Sequence, residues 1–158
     1  MKVRRKPVRK KEVIKTIEKA KVKGVEMKPF DFNQGELMEV DGKLILLVDK
    51  KPILIIDREG DIVPHLLALK FVFCKTATVD DGAVPHILRG ADVMLPGIVS
   101  CDELDVGSAV VVRDRLGRAI GTGTAVMASK DIEGRKSGKV IKMVHVVNDK
   151  LYEFAREL

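Results

Sequence analysis

Two rhythms of apolar and polar positions run along this chain. From Lys10 to Val22, Val13, Ile14, Ile17 and Ala20 recur at helical spacing, with Lys11, Lys15, Lys19 and Lys23 on the other side. That pattern predicts an amphipathic helix with a basic outer face, stopped by Gly24. The rhythm then shortens. Glu36 to Val40 alternates, Asp41-Gly42 is a hairpin signal, and Lys43 to Val48 returns. Lys50-Lys51-Pro52 leads into the apolar run Ile53 to Ile56, and the polar loop DREGD (57–61) follows. Ile62 to Lys70 reads as a short helix with Pro64 near its first turn. These loops are too short for parallel crossovers, so the strands should form an antiparallel meander.

The rest of the chain is organised around VDDGAVPHILRGADVMLPGIV (79–99). Asp81 is placed to cap a helix. Ala83, Ile87 and Leu88 give it an apolar side, Arg89 suits the negative end of its dipole, and Gly90 stops it. A strand then runs into Pro96-Gly97. SCDELDVG (100–107) is an acidic loop, Ala109 to Arg113 a strand, residues 114–117 a turn, and Arg118 to Met127 a strand. Gly121 and Gly123 lie two apart in that strand, on one face, and glycines there mark a bend or a close backbone approach. They predict a sheet curled into a barrel. Ser129 to Ile132 makes one helical turn and Lys139 to Val147 a strand. Asn148-Asp149 then turns the chain back for a last strand, Leu151 to Phe154. A boundary near Lys75 divides the chain into residues 1–74, an α+β unit with a basic N-terminal arm, and 75–158, a mainly-β, partly closed barrel.

Charge changes the picture. The net +6 is concentrated at the start: residues 1–23 carry +9 and the remainder −3. The stretch Lys2 to Lys11, with Pro7 in it, suits an edge strand or an extended arm. It either attracts a polyanion or solubilises the chain. Residues 76–158 hold eleven Lys and Arg against twelve Asp and Glu. The barrel therefore cannot bind nucleic acid by bulk charge and would need a local patch. Aromatic content of 4%, with no Trp, argues against a wide base-stacking platform. Cys74 and Cys101 form no CxxC and read as buried thiols of a reducing cytoplasm. No apolar run reaches the roughly 18 residues needed to span a bilayer, so no membrane partner is expected.

Candidate chemistry is sparse. The chain has no P-loop, HExxH or GxSxG and no cysteine-based metal site. His65, His86 and His145 have no second ligand at metal spacing and read as structural or surface residues. Asp80-Asp81 reads as a cap plus a dipole-favoured anion rather than a catalytic pair. The expectation is a protein that is not an enzyme and holds neither cofactor nor metal.

The segments DDGAVPHILRGADVMLPGIV, VGSAVVVRDRLGRAIGTGTAVM and KVIKMVHVVNDKLYEF together resemble a PUA domain. That pseudobarrel occurs in pseudouridine synthases, archaeosine transglycosylases and translation factors. With a helix-and-hairpin unit before it, the chain resembles archaeal relatives of the malignant-T-cell-amplified-sequence proteins and the N-terminal half of ligatin. The eukaryotic members act with density-regulated protein on the small ribosomal subunit. The resemblance implies a cytoplasmic, non-enzymatic RNA-binding protein of translation, contacting rRNA or tRNA, with a protein partner through the first unit. Two other readings stay open: an RNA-binding accessory of tRNA or rRNA modification, and a protein–protein adaptor with a degenerate groove.

The groove implied by the resemblance maps onto Arg89, Gly90, Ala91, Asp92, Val93, Met94, Leu95, Pro96 and Gly97. Arg113, Arg115, Lys139 and Lys142 are candidates for a flanking phosphate track. Arg89 reads either as a phosphate ligand or as a helix-end cation. Met94 and Leu95 read either as ribose contacts or as core.

Overall fold

The computed structural model describes residues 3–158; Lys2, the first residue of the basic stretch, lies outside them. Within that stretch lies an edge strand, β1 (Arg4–Val8), and Arg9 to Lys11 lead into the following helix, so it is not a free arm. It pairs antiparallel with β3 (Gly35–Val40), and the Arg5 guanidinium takes both carboxylate oxygens of Glu36. Between them lie α1 (Lys10–Val22) and the two-residue β2 (Glu26–Met27). The buried stripe of α1 is narrower than its periodicity suggests: Val13 and Ala20 are enclosed, but Ile14 is 49% exposed.

β4 (Lys43–Val48), β5 (Lys51–Ile56) and β6 (Ile62–Pro64) complete a five-stranded antiparallel sheet of order β1-β3-β4-β5-β6. The helix expected at Ile62 to Lys70 forms only in its second half, as a 3-10 turn. The β-branched Ile62 and Val63 pair with Ile56 and Ile55 instead, and Pro64 is tolerated because β6 is an edge. His65 then caps a 3-10 turn, Leu66–Phe71, its Nδ1 accepting from the Leu67 amide at 3.1 Å.

β7 (Val72–Phe73) pairs with β2. β8 (Thr76–Val79) opens a six-stranded sheet that continues through α2 (Val84–Leu88), β9 (Val93–Met94), β10 (Ile98–Cys101), β11 (Ala109–Arg113), β12 (Ala119–Ala125), the one-turn α3 (Ser129–Ile132) and β13 (Lys139–Val146). Its strand order is β10-β8-β11-β12-β13-β9. β10 takes up Ser100 and Cys101, which the sequence placed in a loop. Two expectations fail at the ends of this sheet. Neither Asp81 nor Asp80 caps α2: Asp80 Oδ1 accepts from the Ala83 amide at 2.8 Å and closes the turn before the helix, which begins at Val84 with no side-chain cap. Leu151 to Phe154 is helix, not strand: Asp149 caps α4 (Lys150–Arg156) by accepting from Tyr152 N at 2.8 Å, and Leu151 and Ala155 are buried one turn apart.

The curl at Gly121 and Gly123 is present. A Cβ at Gly123 would lie 2.4 Å from the Lys142 carbonyl oxygen, and one at Gly121 would lie 2.6 Å from that of His145. The register slips beside them, pairing Thr122 with His145 and Gly123 with Met143, so Val144 is a bulged residue. Its freed carbonyl accepts from Lys43 Nζ of the first sheet at 2.5 Å. The two sheets are joined by further bonds, among them Thr122 Oγ1 to Pro64 O at 2.9 Å and Ala109 N to Lys23 O at 2.8 Å. Ala109, Val144, Leu151 and Ala155 pack into the first sheet's core.

Candidate nucleic-acid interface

The site is built on the stretch 80–97, which folds back on itself through Asp80 N to Gly97 O at 2.9 Å. α2 ends where Gly90 takes φ +99°, and the Ala91 amide reaches back to the His86 carbonyl at 3.0 Å. A Cβ at Gly90 would meet nothing within 4 Å. That glycine is required by its backbone angle, and the space beside it is open. Gly97 is the reverse case: a Cβ there would sit 3.1 Å from that of Ala83, so it lets β10 pass close beneath the start of α2.

Arg89, Gly90, Ala91, Met94 and Pro96 are exposed along one edge. Among the described residues Arg89 has no carboxylate within salt-bridge distance. Val93 and Leu95 are buried and belong to the barrel core, whereas Met94 is 48% exposed. Asp92 holds two strands together. Its Oδ1 accepts from Met143 N and its Oδ2 pairs with Lys139 Nζ, each at 2.8 Å, which pins β9 against β13.

The flanking track divides. Arg113 donates to the Gly117 carbonyl at 2.9 Å, and Arg115 projects from the exposed β11–β12 turn. Lys139 is half exposed beside Asp92. Lys142 is already engaged. Its ammonium meets Asp57 and Asp61 at 3.2 and 3.1 Å and also contacts Glu59. Those oxygens lie within 4.8 Å of one another, so the lysine sits where a cation would. The carboxylates raise the Lys142 pKa; burial pushes Asp57 up, and its hydrogen bonds and Lys142 outweigh this and hold it low. With three carboxylates around it, Lys142 presents no net positive charge to a phosphate.

The sequence did not reveal the wall facing Arg89. A cleft of about 270 Å³ runs between the end of α2, β13, the start of α4 and the β3–β4 turn. Lys43, Lys150, Asp41 and Asp149 line it opposite Leu88, Arg89 and Gly90. The only local signal was the pair of turn residues that adopt positive φ, Asp41 at 54° and Asn148 at 64°.

Under this cleft lies a histidine pair, His65 and His145, both buried with ring centroids 4.5 Å apart. Their bonds define the protons. His65 Nδ1 accepts from Leu67 N, so Nε2 donates to Leu151 O at 3.1 Å. His145 Nε2 accepts from Leu66 N at 3.3 Å, so Nδ1 donates to Asp149 at 2.8 Å. Burial, aided by His145, pushes His65 down to about 4. Burial pushes the Asp149 carboxyl up, but bonds from His145, Val146 and Tyr152 outweigh it and hold it below the usual range. Both cysteines are unpaired, and burial pushes the Cys74 thiol up to about 11. No helix among the described residues is long and apolar enough to cross a membrane.

The PUA domain family model matches residues 75–147. An uncharacterised protein of Methanocaldococcus jannaschii is 37% identical over 123 residues, covering 75% of each chain. Translation machinery-associated protein 20 of Saccharomyces cerevisiae is 27% identical over 79% of this chain and 75% of its own. Malignant T-cell-amplified sequence 1 of Rattus norvegicus is 31% identical over 74% of this chain and 64% of its own. Among solved structures, a hypothetical protein of Pyrococcus horikoshii OT3 is 32% identical with a TM-score of 0.76, covering 96% of this chain and 99% of that one. A PUA domain of Aeropyrum pernix K1, solved as a tartrate complex, is 26% identical with a TM-score of 0.80, covering 98% and 92%. The chain belongs to the PUA-domain proteins, and its homologues include the malignant T-cell-amplified sequence proteins, translation machinery-associated protein 20 and archaeal PUA-domain proteins.

Proposed function

We propose that this is a non-enzymatic, cytoplasmic RNA-binding protein of the translation apparatus, contacting the small ribosomal subunit or tRNA along the Arg89–Pro96 edge. The observation that carries the reading is the exposed Arg89 guanidinium. It has no acidic partner among the described residues and stands beside the open Gly90 turn at the mouth of a cleft with Lys43 and Lys150 on its far wall. A phosphate meets Arg89 there with donors already oriented, and Met94 offers an apolar surface to a ribose or base. The names of two relatives, a translation machinery-associated protein and a malignant T-cell-amplified sequence protein, support the setting.

Charge assigns different work to the two units. The barrel, at net −1, supplies shape and a few contacts, while the first unit holds the excess positive charge and draws RNA in over a longer range. Residues 1–74 form the unit we assign to a protein partner. Arg89→Glu is expected to weaken binding to small-subunit particles or tRNA by about tenfold or more. Arg156→Glu, on the exposed end of α4, is expected to change it by less than about twofold. Equilibrium binding at one fixed salt concentration decides this, and equal losses would place the interface elsewhere.

A further inference from the structure

Four of the five phenylalanines lie together on the first unit: Phe30, Phe32, Phe71 and Phe73. Three are open to solvent, Phe73 by 61%, Phe30 by 40% and Phe71 by 36%. Such a concentration of exposed rings in a chain with so few aromatics marks an interaction surface. The segment 27–31 stands between two apolar hollows. One, of about 140 Å³, is lined by Met27, Val48, Ile53 and Phe71; the other is opened by Ile14, Ile17 and Phe32. Lysines ring the face. Lys28 Nζ lies 5.1 Å from the Phe73 ring centre, Lys51 and Lys70 lie 5.7 and 5.6 Å from that of Phe71, and Lys10 lies 5.4 Å from that of Phe32. Of the nearby carboxylates, Asp49 is turned onto the amides of Asn33 and Gln34, while Asp31 stands at the junction of the two hollows.

We propose that this face docks an acidic protein segment, which seats an apolar side chain in the hollow beside Phe71 and pairs its carboxylates with Lys28 and Lys51. The proposal gives a chemistry to the protein partner assigned to residues 1–74 and stands apart from the RNA reading of the barrel. Charge complementarity selects the occupant. Each ammonium already lies over a ring, so a nucleobase would have to displace it to stack there, whereas a carboxylate meets it in place. Met27, Val48, Ile53 and Phe71 give the hollow an apolar floor that suits a leucine or phenylalanine, with Lys28 and Lys51 also lining it. An anchor in an apolar notch with a charged rim is the usual division between affinity and specificity at such surfaces.

The test is a nuclear magnetic resonance titration of the isotope-labelled full chain. The probes are a short Asp/Glu-rich peptide with a central Leu-Phe pair, the same peptide with Ala-Ala at its centre, and an oligouridylate. The anchored peptide is expected to shift resonances at 27–32 and 70–73. Its affinity should fall about tenfold when the anchor is removed, and by a similar factor in the Lys28→Glu, Lys51→Glu double variant, whose altered side chains are exposed. Three results would each overturn the proposal: no shifts at these residues, equal binding by the anchorless peptide, or tighter binding of the oligouridylate at the same residues. Shifts at 88–97 with oligouridylate report on the barrel edge separately, so failure of one reading leaves the other standing.

Discussion

Gly123→Ala is expected to destabilise the protein by about 3 kcal/mol, the upper range for forcing atoms into a packed site. The new methyl group would lie 2.4 Å from the Lys142 carbonyl oxygen and 2.8 Å from Ile141 Cγ2. Neither the carbonyl nor the strand that carries it can swing aside, because Lys142 is held by the 57–61 loop and Val144 O by Lys43. Gly107→Ala is the control. Gly107 has φ +94° but open space around it, so the substitution costs only the backbone strain, about 1 kcal/mol. Thermal unfolding should separate the two by several degrees, at roughly 2–4 °C per kcal/mol for a chain of this size. Equal melting temperatures would show that β13 does not cross β12 at the distance described.

Acid is expected to weaken the protein well before its carboxylates titrate. His65 has an ordinary pKa of 6.5 in the unfolded chain and about 4 in the fold, where burial and His145 disfavour its charge. The unfolded state therefore binds the proton more readily. The stability that neutral His65 contributes is complete above pH 6.5, falls as the pH drops toward 4, and is lost below that; its size is about 3 kcal/mol. Protonation would also take the Nδ1 lone pair from the Leu67 amide, loosening the turn that joins the first sheet to α4. Asn can replace the imidazole as a cap. The His65→Asn variant should thus be less stable at neutral pH but lose much less between pH 6.5 and 4. Urea midpoints across that range measure it, and parallel slopes for the two proteins would contradict this role for His65.

Much of the framework was legible because it rests on local periodicity. The hairpin at Asp41-Gly42, the Gly90 stop and the strand bent at Gly121 and Gly123 each announce themselves within a few residues. The errors came where local patterns were ambiguous. Ile62-Val63-Pro64 and Leu151 to Phe154 are too short for their period to separate helix from strand. Neighbouring β5 decided the first and the Asp149 cap the second. The adjacent aspartates likewise suggested a cap at Asp81, but α2 has no side-chain cap and Asp80 closes the turn before it.

The site was half legible for a related reason. The edge 89–97 is continuous in sequence, so its glycine and arginine could be read together. The opposite wall joins Lys43 to Lys150 across more than a hundred residues, and the clamp on Lys142 depends on carboxylates more than eighty residues away. No spacing rule pairs such positions. The same separation hid the contact between His65 and His145, each of which reads as ordinary alone.

The most direct test of the RNA reading is to locate the contact. The full chain would be bound to small-subunit particles or tRNA, crosslinked by ultraviolet light, and its crosslinked peptides sequenced. The expected crosslinks fall within 88–97, with Met94 and Arg89 foremost and weaker ones at Lys43 and Lys150 across the cleft. Crosslinks confined to β1 and α1, or to the 114–117 turn, would contradict it.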